Sequence, residues 1–180
     1  MKRTDLSELE CPIARSVDDL GDWWSLMILR DALDGIRRFD EFAEDLPIAP
    51  GMLSRRLRTL VDKGLLEKRR YSERPPRDEY VLTARGRSAQ TVVLALLAWG
   101  NAELAPEDRF VTLRDLDTGR EIEPVMTDAA SGTPVARMRL HAAPGPAASA
   151  PTRERFARLD ERRRARRAQR RGGTDVRTDH

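Results

Sequence analysis

The residues with the clearest chemical potential lie along positions 49–64, which hold three arginines, one methionine and one threonine. A helix turns by about 100° per residue, so a helix here places Leu53, Leu57 and Leu60 on one side, as a protein core requires. The opposite side carries Gly51, Met52, Arg55, Arg58 and Thr59, with Ser54 and Arg56 on its flanks.

Guanidinium groups arranged along a helix can recognise nucleic acid in two ways. Such a group pairs bidentately with the edge of a guanine base, and it also holds phosphate oxygens. We therefore expect the five positions opposite the leucines to face base edges and the two flanking positions to hold phosphates. The same pattern also fits an amphipathic core helix whose arginines are only solvated, so the neighbouring segments must decide between the two interpretations.

The surrounding segments predict the elements that would present this helix. Apolar residues at helical spacing predict earlier helices near residues 13–20, 23–33 and 39–46. Two strands are predicted over residues 65–71 and 78–83, and the loop between them, 72–77, is stiffened by two prolines. Arg38, Arg74 and Arg77 are expected to hold phosphates, although a solvated arginine pair and a solvated turn are the alternatives.

A long apolar helix is predicted from Ala84 to about Leu104, with Thr83 as its N-cap. A helix this apolar at the edge of a small domain needs a cover, and a second copy of the chain is the simplest one. Packing of this helix against its own domain is the alternative.

Positive charge is concentrated in two places, although the net charge of the 180 residues is only +3. Residues 54–78 hold nine basic and four acidic side chains, as phosphate contact requires. Residues 151–180 carry eleven arginines against five acidic residues, so the first 150 residues sum to −3. That end is expected either to bind nucleic acid without sequence preference or to act only as a solubilising tail.

The chain divides by composition into three parts. Residues 1–106 are predicted to be the DNA-binding and dimerisation domain, 107–142 a small β-strand extension, and 143–180 an Ala/Pro/Gly linker with a disordered arginine-rich tail. Within the extension, strands are expected at Phe110–Leu113, Glu121–Met126 and Val135–Leu140. Its two turns, near Asp117–Arg120 and Ala130–Thr133, echo each other thirteen residues apart.

Several classes of protein are disfavoured by the residues present. One cysteine and two histidines make neither a disulfide framework nor a zinc cluster, and no glycine-rich phosphate loop or paired nucleophile and base is found. No apolar run suits a membrane span, and residues 1–8 lack the apolar core of a signal peptide. The sequence predicts a cytoplasmic, nucleoid-associated protein that is not an enzyme and needs no metal or cofactor.

Taken in order, these segments resemble the HxlR-type winged helix-turn-helix transcriptional regulators, relatives of the MarR regulators. The resemblance covers about residues 11–100. It implies that residues 50–63 enter the major groove, that the wing touches the minor groove or backbone, and that the first and last helices form a homodimer. The matching landmarks are Cys11–Ile13, Leu20–Arg30, Arg38–Phe42, Met52–Leu60, Lys63–Leu66, Pro75–Thr83, Gly86 and Trp99–Gly100. The implied dimer contacts are Ile13, Val17, Val93, Leu96, Leu97 and Trp99.

The chain departs from the family in two places. Trp23 stands where relatives often carry lysine or arginine. The resemblance implies a small zinc ribbon downstream of this domain, as in many longer relatives. The matching positions here lack cysteine and histidine, so the hairpins are expected without metal. Those positions are Thr118, Arg120, Asp128 and Ser131.

The resemblance and the residues together predict a mainly α (α+β) fold. It is a winged helix-turn-helix with a long C-terminal dimerisation helix, followed by a small β-hairpin extension and a disordered basic tail. The predicted function is sequence-specific binding of double-stranded DNA by a homodimeric transcriptional regulator, a repressor, at a pseudo-palindromic operator. No residue pattern specifies a small-molecule effector.

Two other functions stay open. A winged helix can serve as a protein-interaction module, with its arginines meeting an acidic partner. Cys11 matches a position that some relatives use for redox sensing, and with no second cysteine only an intersubunit bridge or a small-molecule adduct could form there.

Overall fold

The computed structural model describes residues 9–172 and shows the winged helix-turn-helix that the sequence predicts. Two predictions lie outside the described residues. They are the lack of a signal peptide at residues 1–8 and the end of the tail at residues 173–180. The elements of this domain are helices α1 (Pro12–Leu20), α2 (Trp23–Leu33), α3 (Phe39–Asp45) and α4 (Pro50–Asp62), then strands β1 (Leu66–Glu73) and β2 (Pro76–Leu82).

The core of the domain is built on α2 and α4. Ile28 and Leu29 of α2 are fully buried, and so are the three leucines that the sequence places on one face of α4. Phe42 of α3 is also fully buried. Burial of each such side chain contributes about 1.5–3 kcal/mol, so the leucine face fixes the rotation of α4 about its axis.

The strands β1 and β2 pair antiparallel and are longer than predicted. Leu66 lies opposite Leu82, and Ser72 and Glu73 still pair with Arg77 and Pro76. The predicted six-residue loop is therefore wrong, because only residues 74 and 75 are left at the tip. A two-stranded sheet leaves one side of each strand without a ladder partner, so Pro76 is tolerated within β2.

The predicted long helix is divided at Ala89 into α5 (Ala84–Ser88) and α6 (Gln90–Asn101). Thr83 caps α5 as predicted, because its hydroxyl oxygen accepts a hydrogen bond of 3.0 Å from the Gly86 backbone N–H. A Cβ atom at Gly86 would lie 2.0 Å from the Leu65 carbonyl oxygen, so only glycine permits this packing of α5 against the chain entering β1.

The extension contains less strand than the sequence predicts. Leu113–Arg114 (β3) pairs with Glu121–Ile122 (β4), and a single bridge joins Thr127 to Pro134. The strand predicted at Val135–Leu140 is wrong, since Val135–Arg137 form a 3₁₀ turn in which Arg137 N–H donates to the Pro134 carbonyl at 2.9 Å.

The two turns of the extension repeat each other, as the sequence indicates. Asp115 accepts hydrogen bonds from the Thr118 hydroxyl at 2.8 Å and backbone N–H at 2.7 Å. Asp128 accepts the same two bonds from Ser131, at 2.7 and 2.9 Å. These hydrogen bonds lower the pKa of both carboxyl groups, with the hydroxyl contribution largest in each turn. A glycine with positive φ follows each turn, at positions 119 and 132.

Residues 150–172 form a helix, α7 (Ala150–Gly172), rather than a disordered segment. Arginine, alanine, glutamate and glutamine are strong helix formers, which explains how a segment without a core becomes helical. The described residues fall into two compact units, one made of residues 13–138 and the other of residues 9–12 with 139–172.

The glycine packing in α5 gives a stability prediction. Gly86→Ala should lower the free energy of unfolding by about 1–3 kcal/mol, because the added methyl group overlaps a backbone carbonyl that cannot rotate away. Gly145→Ala is the control, since no atom lies within 4 Å of its added Cβ and its stability should change little. Urea unfolding measures both; an unchanged midpoint for the first variant would contradict this packing.

Candidate nucleic-acid interface

The polar face of α4 is open to solvent because the opposite face is held in the core. Ser54, Arg55 and Arg58 are exposed, and Met52 and Thr59 are half-buried. Gly51 lies exposed in the first turn. Neither Arg55 nor Arg58 forms an ion pair with any residue that the structure describes. Both guanidinium groups are therefore free to meet an anionic or hydrogen-bonding partner.

Two local contacts order this polar face. The Arg55 guanidinium lies 2.8 Å from the Met52 sulfur, one turn earlier on the helix. The Thr59 hydroxyl donates to the Arg55 carbonyl oxygen at 3.0 Å. Because that hydroxyl hydrogen is used within the helix, Thr59 offers its methyl group and hydroxyl lone pairs to a partner.

Arg56 lies on the flank of α4 and has a different environment. Its side chain is 19% exposed and forms an ion pair with Asp22. Asp22 is also the N-cap of α2, since its carboxylate accepts from the Ser25 backbone N–H at 3.1 Å. One carboxylate thus joins the start of the central helix to the middle of α4, a contact for which local sequence spacing gives no signal.

Arg38 joins the start of α3 to the wing, which we define as β1, β2 and the two residues between them. Its guanidinium lies 4.6 Å from the ring centroid of Tyr71, the residue at the irregularity in β1. Its backbone N–H donates to Glu41 at 2.9 Å, and the Arg37 N–H does so at 3.0 Å. These two backbone hydrogen bonds lower the pKa of Glu41 and keep a carboxylate beside Arg38.

The strands of the wing are internally neutralised, whereas the tip is not. Asp78 pairs with Lys68 at 2.9 Å and with Arg70 at 2.6 Å, and these hydrogen bonds lower the pKa of its carboxyl group. Arg74 and Arg77 are exposed, and no ion pair within the described residues involves either. The positive charge left unmatched in the wing therefore lies at Arg74 in the tip and at Arg77, near the start of β2.

A four-residue cluster, absent from the sequence prediction, holds the end of α4. Lys63 donates to Asp18 at 2.7 Å and lies 3.7 Å from Asp19, both near the end of α1. Arg85 of α5 pairs with Asp19 and donates to the Lys63 carbonyl. The hydrogen bond that Lys63 donates to Asp18 is the main cause of the raised pKa of Lys63. The adjacent acids at 18 and 19 were the available signal, but their partners are distant in sequence.

The predicted dimer contacts are apolar and largely uncovered within one chain. Ile13 and Trp99 are 75% and 80% exposed, and Val17 and Leu96 are about half exposed. Val93 and Leu97 are half-buried, and α6 as a whole has no buried residue. Cys11, beside α1, is a half-buried free thiol.

The turns at the expected zinc-ribbon positions are closed by their own side chains. Thr118 and Ser131 each donate to the aspartate three residues earlier, so Asp115 and Asp128 are the matching residues of the two turns. Arg120 takes part in its turn through its backbone, because its N–H donates to the Thr118 hydroxyl oxygen at 3.3 Å. In the described ranges, no helix is both long and apolar enough to cross a membrane.

Comparison with protein families gives one match that covers half of the chain. The description of the matching family is HxlR-like helix-turn-helix, and the match spans residues 19–108. The chain belongs to the HxlR-like helix-turn-helix family. The matched range includes α2 to α6 and the whole wing.

Relatives of this HxlR-like protein are transcriptional regulators. It is 36% identical over 135 residues to Rv3095 of Mycobacterium tuberculosis, an uncharacterized HTH-type transcriptional regulator, covering 74% of this chain and 85% of the relative. Two solved structures are similar. PA1374 of Pseudomonas aeruginosa, a candidate transcription factor, is 48% identical with a TM-score of 0.59. The match covers 81% of this chain and 99% of the PA1374 chain. PA1607, also a candidate transcription factor, is 33% identical with a TM-score of 0.67, covering 77% and 99%.

The ion pairs of Asp78 give a prediction for acid stability. Because its folded pKa is depressed, Asp78 contributes stability above its ordinary pKa near 3.8, and that contribution is lost as pH falls through the lower folded value. Asp78→Asn should therefore be less stable than the parent at neutral pH, and the two should converge in acid. Urea unfolding across this range measures the difference. Glu44→Gln, an exposed carboxylate on α3, serves as the control; a pH-independent difference for Asp78→Asn would contradict the assignment.

Proposed function

We propose that this HxlR-like protein is a homodimeric regulator that binds a pseudo-palindromic operator in double-stranded DNA and represses transcription. The observation that carries the proposal is the division of α4 into two faces. Three leucines are fully buried on one side, while Arg55 and Arg58 are exposed and without ion pairs in the described residues on the other. A partly apolar helix that keeps Arg55 and Arg58 unpaired on its exposed side is suited to the donor and acceptor pattern of the major groove.

Base reading is assigned to the polar face of α4. Arg55 and Arg58 would each pair bidentately with a guanine, a contact that gives about 1–3 kcal/mol of discrimination against other bases. The methyl group of Thr59, left available by its internal hydrogen bond, suits the methyl group of thymine. Met52 would pack beside Arg55, and Gly51 would let the backbone come close to the DNA.

Phosphate contacts are assigned to the surrounding positive and polar groups. Arg74 in the wing tip, Arg77 near the start of β2 and Ser54 on α4 are exposed, as phosphate binding requires. Arg38 is stacked on Tyr71, which would orient its guanidinium beside the DNA backbone. Arg56 carries five N–H donors, so it can keep its pair with Asp22 and still offer donors to a phosphate.

A second copy of the chain is the proposed cover for the apolar residues of α1 and α6. Trp99 and Ile13 expose most of their surface, and large exposed apolar side chains grouped on helices mark association sites. A symmetric pair would present two α4 helices to half-sites about one helical turn apart, roughly 34 Å.

Removing single arginines should separate the two kinds of contact. Arg55→Ala should weaken binding to the operator by a factor of about 5–150 while leaving binding to unrelated DNA nearly unchanged. Arg74→Ala should weaken both equally and reduce the salt slope by about 0.9. Arg120→Ala, which removes the same charge from the extension, is the control.

Footprinting on the DNA upstream of the gene first locates the operator. Fluorescence anisotropy on this operator and on unrelated DNA then measures these effects. If Arg55→Ala and Arg74→Ala both bind the operator as tightly as the parent, the assignment of these contacts is wrong. If the parent itself shows no preference for any upstream DNA, the protein-interaction function becomes the better explanation.

A charge placed in the proposed dimer face should separate the subunits. Trp99→Glu should give monomers at concentrations where the parent is a dimer, because the carboxylate would be buried without a partner. Leu116→Glu, at a fully exposed site in the extension, should leave the dimer intact. Analytical ultracentrifugation decides; a parent that sediments as a monomer at micromolar concentration would rule out this face as the interface.

A further inference from the structure

The second compact unit contains the densest positive charge in the described chain. Helix α7 carries ten arginines and three acidic residues within 23 positions. It lies outside residues 19–108, the part of the chain matched by the family, so nothing in the helix-turn-helix domain explains it. The charge of α7 therefore needs an explanation of its own.

The arginines in the first half of α7 are engaged within the chain. Arg153 donates to the Ala148 and Pro146 carbonyls, both at 3.0 Å, and so ties the helix start to the preceding segment. Arg158 lies 3.9 Å from Glu154, and Asp160 pairs at 2.9 Å with Arg163, which is just past the middle of the helix. These contacts account for local structure and leave little free charge in this half.

The second half of α7 is different. Its arginines at 162, 164, 166 and 167 are exposed and form no ion pair with any described residue. Arg166 and Arg167 join Arg139, Arg163 and Gln169 around one open concavity, and no acidic side chain among the described residues lines it. Like charges three or four residues apart, such as Arg162 and Arg166, destabilise a helix by about 0.2–0.5 kcal/mol per pair. A polyanion in the concavity would remove this repulsion.

The chemistry of this cluster favours phosphates. Guanidinium groups bind phosphate oxygens through paired N–H donors, and several exposed along one short stretch of helix suit a ligand with regularly repeated charge. A membrane surface is a poorer match, because α7 has only Phe156 and Leu159 as large apolar side chains and therefore lacks a broad apolar face. Double-stranded DNA held by α4 of the same chain would raise the local concentration of phosphates near α7.

We propose that α7 is a second, sequence-independent DNA contact, in which Arg162, Arg164, Arg166 and Arg167 bind backbone phosphates beside the operator. This inference rests on the proposed function, since it takes DNA to be the polyanion. It assigns affinity and salt dependence to α7 and base preference to α4.

The test compares two charge-matched variants of the full chain. R162Q/R164Q/R166Q/R167Q removes the cluster, and R120Q/R137Q/R155Q/R158Q removes four arginines outside it. Glutamine has a high helix propensity, so the helix should be retained, and circular dichroism of each variant checks this. A third variant, with lysine at the four cluster positions, keeps the charge.

Binding is measured on the operator and on an unrelated duplex of equal length between about 50 and 200 mM salt. The cluster variant should lower the salt slope by about 2–4 on both duplexes, while its preference for the operator stays that of the parent. The matched variant should lower the slope by less than 1, and the lysine variant should keep the parental slope.

Three results would overturn the inference. The first is an equal loss of slope in both glutamine variants. The second is displacement of the duplex by single-stranded RNA from the parent but not from the cluster variant, which would identify RNA as the partner. The third is cluster-dependent binding to phosphatidylglycerol vesicles with unchanged DNA binding. A parent without operator preference would contradict the proposed function alone, because the slope on unrelated DNA still reports on α7.

Discussion

The structure depends on the burial of one face of α4. With Leu53, Leu57 and Leu60 in the core against α2 and α3, the helix has a single rotation available. A shift of one residue would turn it by about 100°, expose a leucine and bury a guanidinium, a change that costs several kcal/mol. The apolar face therefore determines where the arginines point, although no leucine is proposed to touch DNA.

Polar side chains fix the remaining freedom of α4. Asp22 holds Arg56 from the start of α2, which sets the position of the helix along its own axis. At the far end, Lys63 is held by Asp18 and Asp19. Exposed ion pairs contribute little to stability individually, so the value of these contacts lies in defining one arrangement of the helices rather than in strengthening the fold.

Periodicity and capping rules predicted most elements of the helix-turn-helix domain, but not the 3₁₀ turn at Val135–Arg137 or helix α7. The leucine spacing predicted the face of α4, Thr83 predicted the start of α5, and the match between Asp117–Arg120 and Ala130–Thr133 predicted the repeated turns. Contacts between distant residues were beyond these rules. The pairing of Arg56 with Asp22 and of Arg85 with Asp19 depends on how the helices meet, and local spacing carries no information about it. The division at Ala89 and the short tip of the wing likewise depend on packing and strand register.

The cluster formed by Asp18, Asp19, Lys63 and Arg85 has a mechanical consequence. It connects α1, which presents Ile13 and Val17 at the surface, to the last residues before the wing. If α1 tilts, either these ion pairs break or the end of α4 moves with α1. In the proposed dimer, such a tilt would alter the distance between the two α4 helices, so α1 would connect the geometry of the subunits to the half-site spacing that the dimer can read.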